Sequence, residues 1–327
     1  MLKRSFGLNK SEVSEVGLGT WQIGGSWGTV EDKTAMEILQ TAAEAGITFF
    51  DTADVYGDGR SEEFIGTFLR QHPGKIFVAT KLGRNSNPGW PENFTPEAMT
   101  HHTNNSLSRL GVEQLDLLQL HCVPQRFLDD GVVFDVLRDL QKQGKIASFG
   151  ASVESVEEAL FCLQEEGLAS LQVIFNIYRQ KLITDLFGKA QEKGVSIIAR
   201  VPLASGLLTG NMKKDTTFDK ADHRNFNRDG AEFNVGETFA GIPFEKGVEL
   251  TEELALLKPE GMTLAQMSLR WILDYDAVSV VIPGASRPQQ AKDNAAISDL
   301  PPLSAELHQK LERFYTEKVA QHIRGPY

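Results

Sequence analysis

The stretch Val16-Gly17-Leu18-Gly19-Thr20-Trp21-Gln22 decides the fold: an apolar run opens a G-x-G-x-x-G pattern, and Gln22 then stands where the third glycine belongs. An open, doubly wound sheet normally carries that fingerprint at its first strand-to-helix turn. The fingerprint is missing. Gly57-Asp58-Gly59-Arg60-Ser61-Glu62 fails at the same place, with Glu62, and no G-x-x-x-x-G-K-[ST] string occurs in the chain.

Outward from that stretch, short runs rich in β-branched and large apolar residues recur at 16–20, 47–53, 76–81, 115–122, 146–152, 171–176, 195–201 and 278–283. Each is nearly continuous in apolar character, as strands buried on both faces are. Helical patterns run between them. Ala35, Ile38, Leu39 and Ala42 fall at i, i+3, i+4 and i+7 with Gly46 as C-terminal cap, and Val156, Ala159, Leu160 and Leu163 repeat the spacing before Gly167. Eight strand candidates without a switch-point signature predict class α/β and a (β/α)8 TIM barrel, one domain over 1–327. A helical extension is expected at the C-terminus. The 210–262 segment, polar and carrying Phe218, Phe226, Phe233, Phe239 and Phe244, is too long for a routine connection between the seventh and eighth strands. It reads as a packed loop insertion.

Charge and cysteine usage bound the partners. With 33 basic against 44 acidic residues and net charge −11, the chain repels polyphosphates, so no nucleic-acid partner is expected. No membrane partner is expected either, because the most apolar stretch, 195–208, is broken by Arg200 and Pro202 and falls short of the about 18 residues of a span. No apolar stretch follows Lys3-Arg4, so the start does not read as a secretory signal. Cys122 and Cys162 show no Cys-x-x-Cys spacing, which fits a reducing compartment and a cytoplasmic location.

A parallel barrel brings the C-terminal ends of its strands to one mouth, so strand-end side chains can be collected from distant parts of the sequence. Asp51 ends the second run, Lys81 the third, and His121 lies at the end of the fourth; Tyr56 follows Asp51 by five residues. Taken singly, these are a turn residue, a surface cation, a packed histidine and a wall residue. Together they suit carbonyl chemistry. A phenol beside an ammonium is expected to have its pKa lowered from about 10, and a carboxylate can hold that ammonium in place. The histidine can hydrogen-bond an oxygen on which negative charge develops.

Gly17-Leu18-Gly19-Thr20-Trp21, Phe50-Asp51-Thr52-Ala53-Asp54-Val55-Tyr56-Gly57, Leu115-Asp116-Leu117-Leu118-Gln119-Leu120-His121 and Ser205-Gly206-Leu207-Leu208-Thr209-Gly210 resemble the blocks of the aldo-keto reductase family, in the right order. The resemblance covers nearly the whole chain. It implies a barrel that uses NADPH, or alternatively NADH, without a Rossmann domain, and an oxidoreductase acting on a small carbonyl or alcohol substrate. Asp51, Tyr56, Lys81 and His121 match the family's catalytic tetrad, with Tyr56 as proton donor.

By the same resemblance, Gly19, Thr20 and Asp51 border the nicotinamide ribose, Trp21 belongs to the cofactor site, and Ser152 and Gln172 hold the carboxamide. Leu203, Ser205, Gly206 and Leu208 form the pyrophosphate loop. Gly284, Ser286, Arg287 and Gln290 lie at the adenosine phosphate, Asp293 and Asn294 near the adenine. Physical chemistry supports the phosphate site independently, since free N–H groups ahead of Pro288 and the Arg287 guanidinium meet after the eighth strand. Four positions depart from common family usage. Val153 replaces Asn, Arg200 replaces an aromatic ring under the nicotinamide, and Gly284 and Gln290 replace a Lys and an Arg. The 210–262 insertion is expected to fold over the cofactor.

Trp21, Trp27 and Trp90 are expected near the mouth as an apolar or sugar-binding pocket. No metal site is expected: neighbours on a helix such as His101 and His102 point about 100° apart. Cys122 reads as a buried apolar residue. The rival reading is a cofactor-binding redox sensor resembling the β subunits of potassium channels.

Overall fold

Strands that are apolar on both faces need cover on both sides, which a closed barrel ringed by helices supplies. The computed structural model, describing residues 1–327 apart from 26, 28, 29, 73, 75 and 90, has this architecture. An antiparallel hairpin, β1 (Lys3–Phe6) and β2 (Ser11–Ser14), precedes the barrel strands β3 (Leu18–Gly19), β4 (Phe49–Asp51), β5 (Phe77–Leu82) and β6 (Leu117–His121). They are followed by β7 (Phe149–Ser152), β8 (Leu168–Ile174), β9 (Ser196–Arg200) and β10 (Val278–Val281). The eight pair in parallel and in sequence order, and bridges from Val16 to Val281 and Gly19 to Gly284 close the ring. Every predicted run overlaps one barrel strand.

The helices bury the faces their periodicity predicts. Helix Asp32–Glu44 buries Ala35, Ile38, Leu39 and Ala42, and Gly46 turns the chain with φ of 89°. Helix Val156–Cys162 buries Val156, Ala159 and Cys162. The hairpin has no counterpart in the eight-run reading. Its Phe6 and Val13 pack with Phe49, Phe77, Leu117, Ile198 and Val280 inside the barrel, the Phe6 ring 5.3 Å from Phe49 and 5.1 Å from Phe77. Phe49 and Phe77 begin β4 and β5, so the hairpin plugs the bottom of the barrel and the opposite end is the mouth.

The 210–262 insertion is two structures, not one loop. Helix Phe244–Ala255 buries Phe244, Val248, Leu250 and Leu254 in the main core and is part of the wall. The 211–237 portion contains only short turns, among them His223–Phe226, and reaches the mouth. Phe239 anchors it between the two halves, 5.8 Å from Phe218 and 4.8 Å from Phe244, whereas Phe226 is 38% exposed. After helix Ala305–Phe314 the chain returns to this segment, where Arg324 donates to the Gly241 carbonyl at 2.9 Å and pairs with Asp229 at 2.8 Å. Among the described residues, no helix is long and apolar enough to cross a membrane.

Candidate active site

Strand polarity delivers the predicted residues to one place. Asp51 is the last residue of β4, Lys81 is one from the end of β5, and His121 closes β6 opposite Ser152 of β7. Tyr56 arrives on the turn after β4. Gly57 lets that turn close: its φ is 65°, and a Cβ there would lie 2.3 Å from the Gly24 carbonyl oxygen.

Lys81 Nζ donates to Asp51 Oδ1 at 2.6 Å, to the Thr52 carbonyl at 2.8 Å and to the Tyr56 hydroxyl at 3.2 Å. All three of its hydrogens are thereby engaged. The other Asp51 oxygen accepts from Gln172 Nε2 at 2.7 Å and Gln119 Nε2 at 3.3 Å. Gln119 was missed in the sequence, although it lies two residues before His121 and so on the same strand face.

Burial works against the Lys81 ammonium, but the Asp51 carboxylate and Tyr56 hold its pKa above the ordinary lysine value. Burial, with Arg84, Lys81 and Arg200 nearby, pushes the His121 imidazole well below its ordinary value, so it is neutral at neutral pH. Its Nδ1 is buried without a hydrogen-bond partner among the described residues. Tyr56 corrects an expectation. Burial raises its phenol above the ordinary value, and the opposing pull of Lys81 is the smaller influence. The expected lowering left out desolvation.

These groups open into a cavity of about 920 Å³. Of the residues expected at the cofactor, Gly19, Thr20, Trp21, Asp51, Ser152, Gln172, Arg200, Leu203, Ser205, Gly206, Gly284, Ser286 and Gln290 line it. Leu208 does not: its side chain is wholly buried in the main core, because the turn at 204–209 points it into the barrel wall. Arg287 and Asp293 are exposed, and Asn294 donates to the Gly284 carbonyl at 3.3 Å. Gln290 Oε1 accepts from the Ser286 N–H at 2.8 Å and hydroxyl at 3.1 Å, ordering the turn before helix Pro288–Ala295. The backbone bends to form this cradle. Ser205 and Gly206 are both left-handed, with φ of 55° and 101°, and a Cβ on Gly19 would lie 2.9 Å from the Ile282 carbonyl oxygen.

Trp21 stacks on Tyr56 with ring centroids 5.9 Å apart, Trp27 meets Trp21 edge-on at 5.7 Å, and Phe233 closes in from the insertion. Trp90 lies outside the described residues. His102 accepts or donates at 2.9 Å with Asn93 inside the fold, and His101 faces outward.

The cavity also holds Arg84, Glu154 and Glu237, which the sequence reading missed. Arg84 pairs with Glu154 at 2.7 Å, and Arg200 pairs with Glu237, its other nitrogen donating to the Val153 carbonyl at 3.0 Å. The Cys122 thiol lies between them, pushed up to about 11 by burial. Donor atoms of Cys122, Glu154 and Glu237 come within 4.8 Å of one another, but both carboxylates are committed to guanidiniums.

The family model described as "Aldo/keto reductase family" matches residues 15–316. The chain belongs to the aldo/keto reductase family. It is 27% identical over 314 residues to the NADH-specific methylglyoxal reductase of Escherichia coli, covering 90% of this chain and 93% of that protein. The glycerol dehydrogenase of Gluconobacter oxydans superposes with TM-score 0.78 at 28% identity, covering 99% of this chain and 97% of the other. An aldo-keto reductase of Klebsiella pneumoniae in complex with NADPH superposes with TM-score 0.71 at 25% identity, covering 96% of each chain. A nicotinamide cofactor therefore suits this member of the family, and the strand-end residues lining the mouth fit it.

Proposed function

We propose that this aldo/keto reductase reduces an aldehyde or ketone to the alcohol, or runs the reverse reaction, with Tyr56 as the proton donor. The observation that carries this reading is the bonded chain from Asp51 through Lys81 to Tyr56 beside a neutral His121. A nicotinamide bound at the mouth would supply the hydride. Tyr56 holds a proton to give, because its phenol is neutral at neutral pH. Lys81, fixed as an ammonium by Asp51, stabilises the phenolate as that proton leaves. His121, neutral and lining the cavity, would hydrogen-bond the substrate oxygen and hold it in line with Tyr56.

Gly19, Thr20, Ser152 and Gln172 would hold the nicotinamide half, and Ser205, Gly206, Ser286 and Arg287 the phosphates. Arg287 is the only cation in the 284–290 turn, which favours NADPH. The NADPH-bound Klebsiella neighbour supports that choice, and the NADH-specific E. coli relative keeps NADH as the second cofactor to test. The 211–237 segment, with Arg224 over Trp27 at 4.7 Å, would cover the occupied site. Screening carbonyls with NADPH and NADH, while following loss of the reduced nicotinamide, tests the reading. Multiple turnovers on a free carbonyl are expected. Tight cofactor binding without turnover on any carbonyl would instead favour a redox sensor.

A further inference from the structure

We propose that Gln119 is a positioning residue: it ties the Gln172 amide to the Asp51 carboxylate, and so fixes which end of that amide meets the carboxamide of a bound nicotinamide. This rests on the cofactor reading above and deepens it.

The barrel sets the arrangement. Asp51, Gln119 and Gln172 lie on β4, β6 and β8, alternate strands, which contribute side chains to one interior layer. Two residues earlier on β4 and β6, Phe49 and Leu117 belong to the apolar cluster that the hairpin plugs with Phe6. The polar layer therefore stands on a dry floor. Asp51, Gln119 and Gln172 are 2%, 0% and 1% exposed. Asp51 and Gln172 line the cavity, and Gln119 does not.

Amides buried in this way find their partners within the layer. Valence decides how. A carboxylate only accepts, so both glutamines turn Nε2 towards Asp51. Gln172 Nε2 donates to Oδ2 at 2.7 Å and Gln119 Nε2 to the same oxygen at 3.3 Å, which leaves Oδ1 to Lys81 at 2.6 Å. The second Nε2 hydrogen of Gln172 goes to Gln119 Oε1 at 3.3 Å. Asp51 alone would hold one hydrogen and let the amide swing about it; Gln119 supplies the second point and fixes the plane. Both hydrogens of Gln172 are then spent inside the layer, and the polar atom it has left is Oε1, an acceptor. A nicotinamide carboxamide has an N–H to donate to that acceptor. A ring carrying an acetyl group in the same place has only a carbonyl and no donor.

The test needs no turnover. Titration calorimetry gives Kd for NADP⁺ and for its 3-acetylpyridine analogue in wild type, Gln119→Met, Gln172→Met and the double variant. Methionine keeps the length of the side chain and removes both polar atoms. The two cofactors differ in more than one bond, so the deciding quantity is the change in their Kd ratio between proteins. Wild type should prefer NADP⁺, and Gln119→Met should reduce the preference about three- to ten-fold, the worth of one hydrogen bond between neutral groups. In the Gln172→Met background, the change at Gln119 should leave the ratio unaltered. Far-ultraviolet circular dichroism reports folding. Should the methionine variant fail to fold, Gln119→Glu carries the test with a group of the amide's shape. Burial and Asp51 raise the pKa of the introduced carboxyl and Lys81 opposes them; protonated, it donates to Asp51 and accepts from Gln172 as the amide does. The preference should therefore return to the wild-type value as pH falls. A wild-type ratio in Gln119→Met, an equal shift with and without Gln172, or a preference that stays low at every pH in Gln119→Glu overturns the role of Gln119 alone. Failure of the wild type to bind either nicotinamide overturns the cofactor reading itself.

Discussion

Replacing Lys81 with methionine removes the ammonium that Asp51 Oδ1, the Thr52 carbonyl and the Tyr56 hydroxyl share. The side chains of Lys81 and Asp51 are 1% and 3% exposed, so water cannot take the place of the lost partner. Gln119 and Gln172 still donate to the other Asp51 oxygen, but they bring no charge. Stranding one partner of a buried pair typically costs about 3–5 kcal/mol. Lys81→Met alone should therefore destabilise the cofactor-free protein by about that amount. The double variant Asp51→Asn/Lys81→Met removes the stranded charge and should regain more than half of the loss. Denaturant unfolding of the four proteins of this cycle, with far-ultraviolet circular dichroism as the readout, gives the coupling. Neighbours that act as a unit show coupling of about 0.5–3 kcal/mol or more. If the double variant loses the sum of the two single losses, the pair is not coupled and the reasoning about the Lys81 charge fails.

Arg287→Ala should raise Kd for NADPH about ten-fold or more, the range of a charge-assisted phosphate contact, and leave NADH nearly unaffected. Equal weakening of both cofactors in titrations would make Arg287 a loop support. Asp54 is wholly buried, and burial with the neighbouring Glu62 pushes its carboxyl up to about 8. Its folded pKa exceeds the unfolded one, so the folded state binds more protons between about pH 4 and pH 8, and stability falls as pH rises through that window. Asp54→Asn should gain stability over the wild type progressively across it; parallel melting-temperature profiles for the two proteins would contradict the assignment.

The barrel was legible because its strands bury both faces, so runs such as 195–201 declare themselves without alternation. The hairpin was not, because Lys3–Phe6 and Ser11–Ser14 expose one face and contribute only Phe6, Val13 and Ser14 to buried positions. That Asp51, Lys81 and His121 meet at one end of the barrel was legible from the strand ends, since polarity fixes which end of a parallel strand faces the mouth, whereas Tyr56 lies on the turn after β4. Arg84, Glu154 and Glu237 were not legible. Each lies in a connection, and their pairings join positions 70 and 37 residues apart that no local spacing reports. The direction of the Tyr56 shift was misjudged for a related reason: the sequence shows a nearby lysine but not the burial that outweighs it. The insertion misled in its second half, where Phe244–Ala255 is a core helix whose apolar face the glycine-punctuated sequence around it obscures.

The central claim, that Tyr56 gives the proton in nicotinamide-dependent carbonyl reduction, is tested most directly by comparing steady-state turnover of wild type and Tyr56→Phe on one reactive aldehyde at saturating NADPH. Phenylalanine keeps the ring against Trp21 and removes only the hydroxyl that Lys81 contacts. The account predicts a loss in kcat of about 10²- to 10⁴-fold, the usual contribution of a general acid, with the Kd for NADPH largely kept. An unchanged kcat would contradict it.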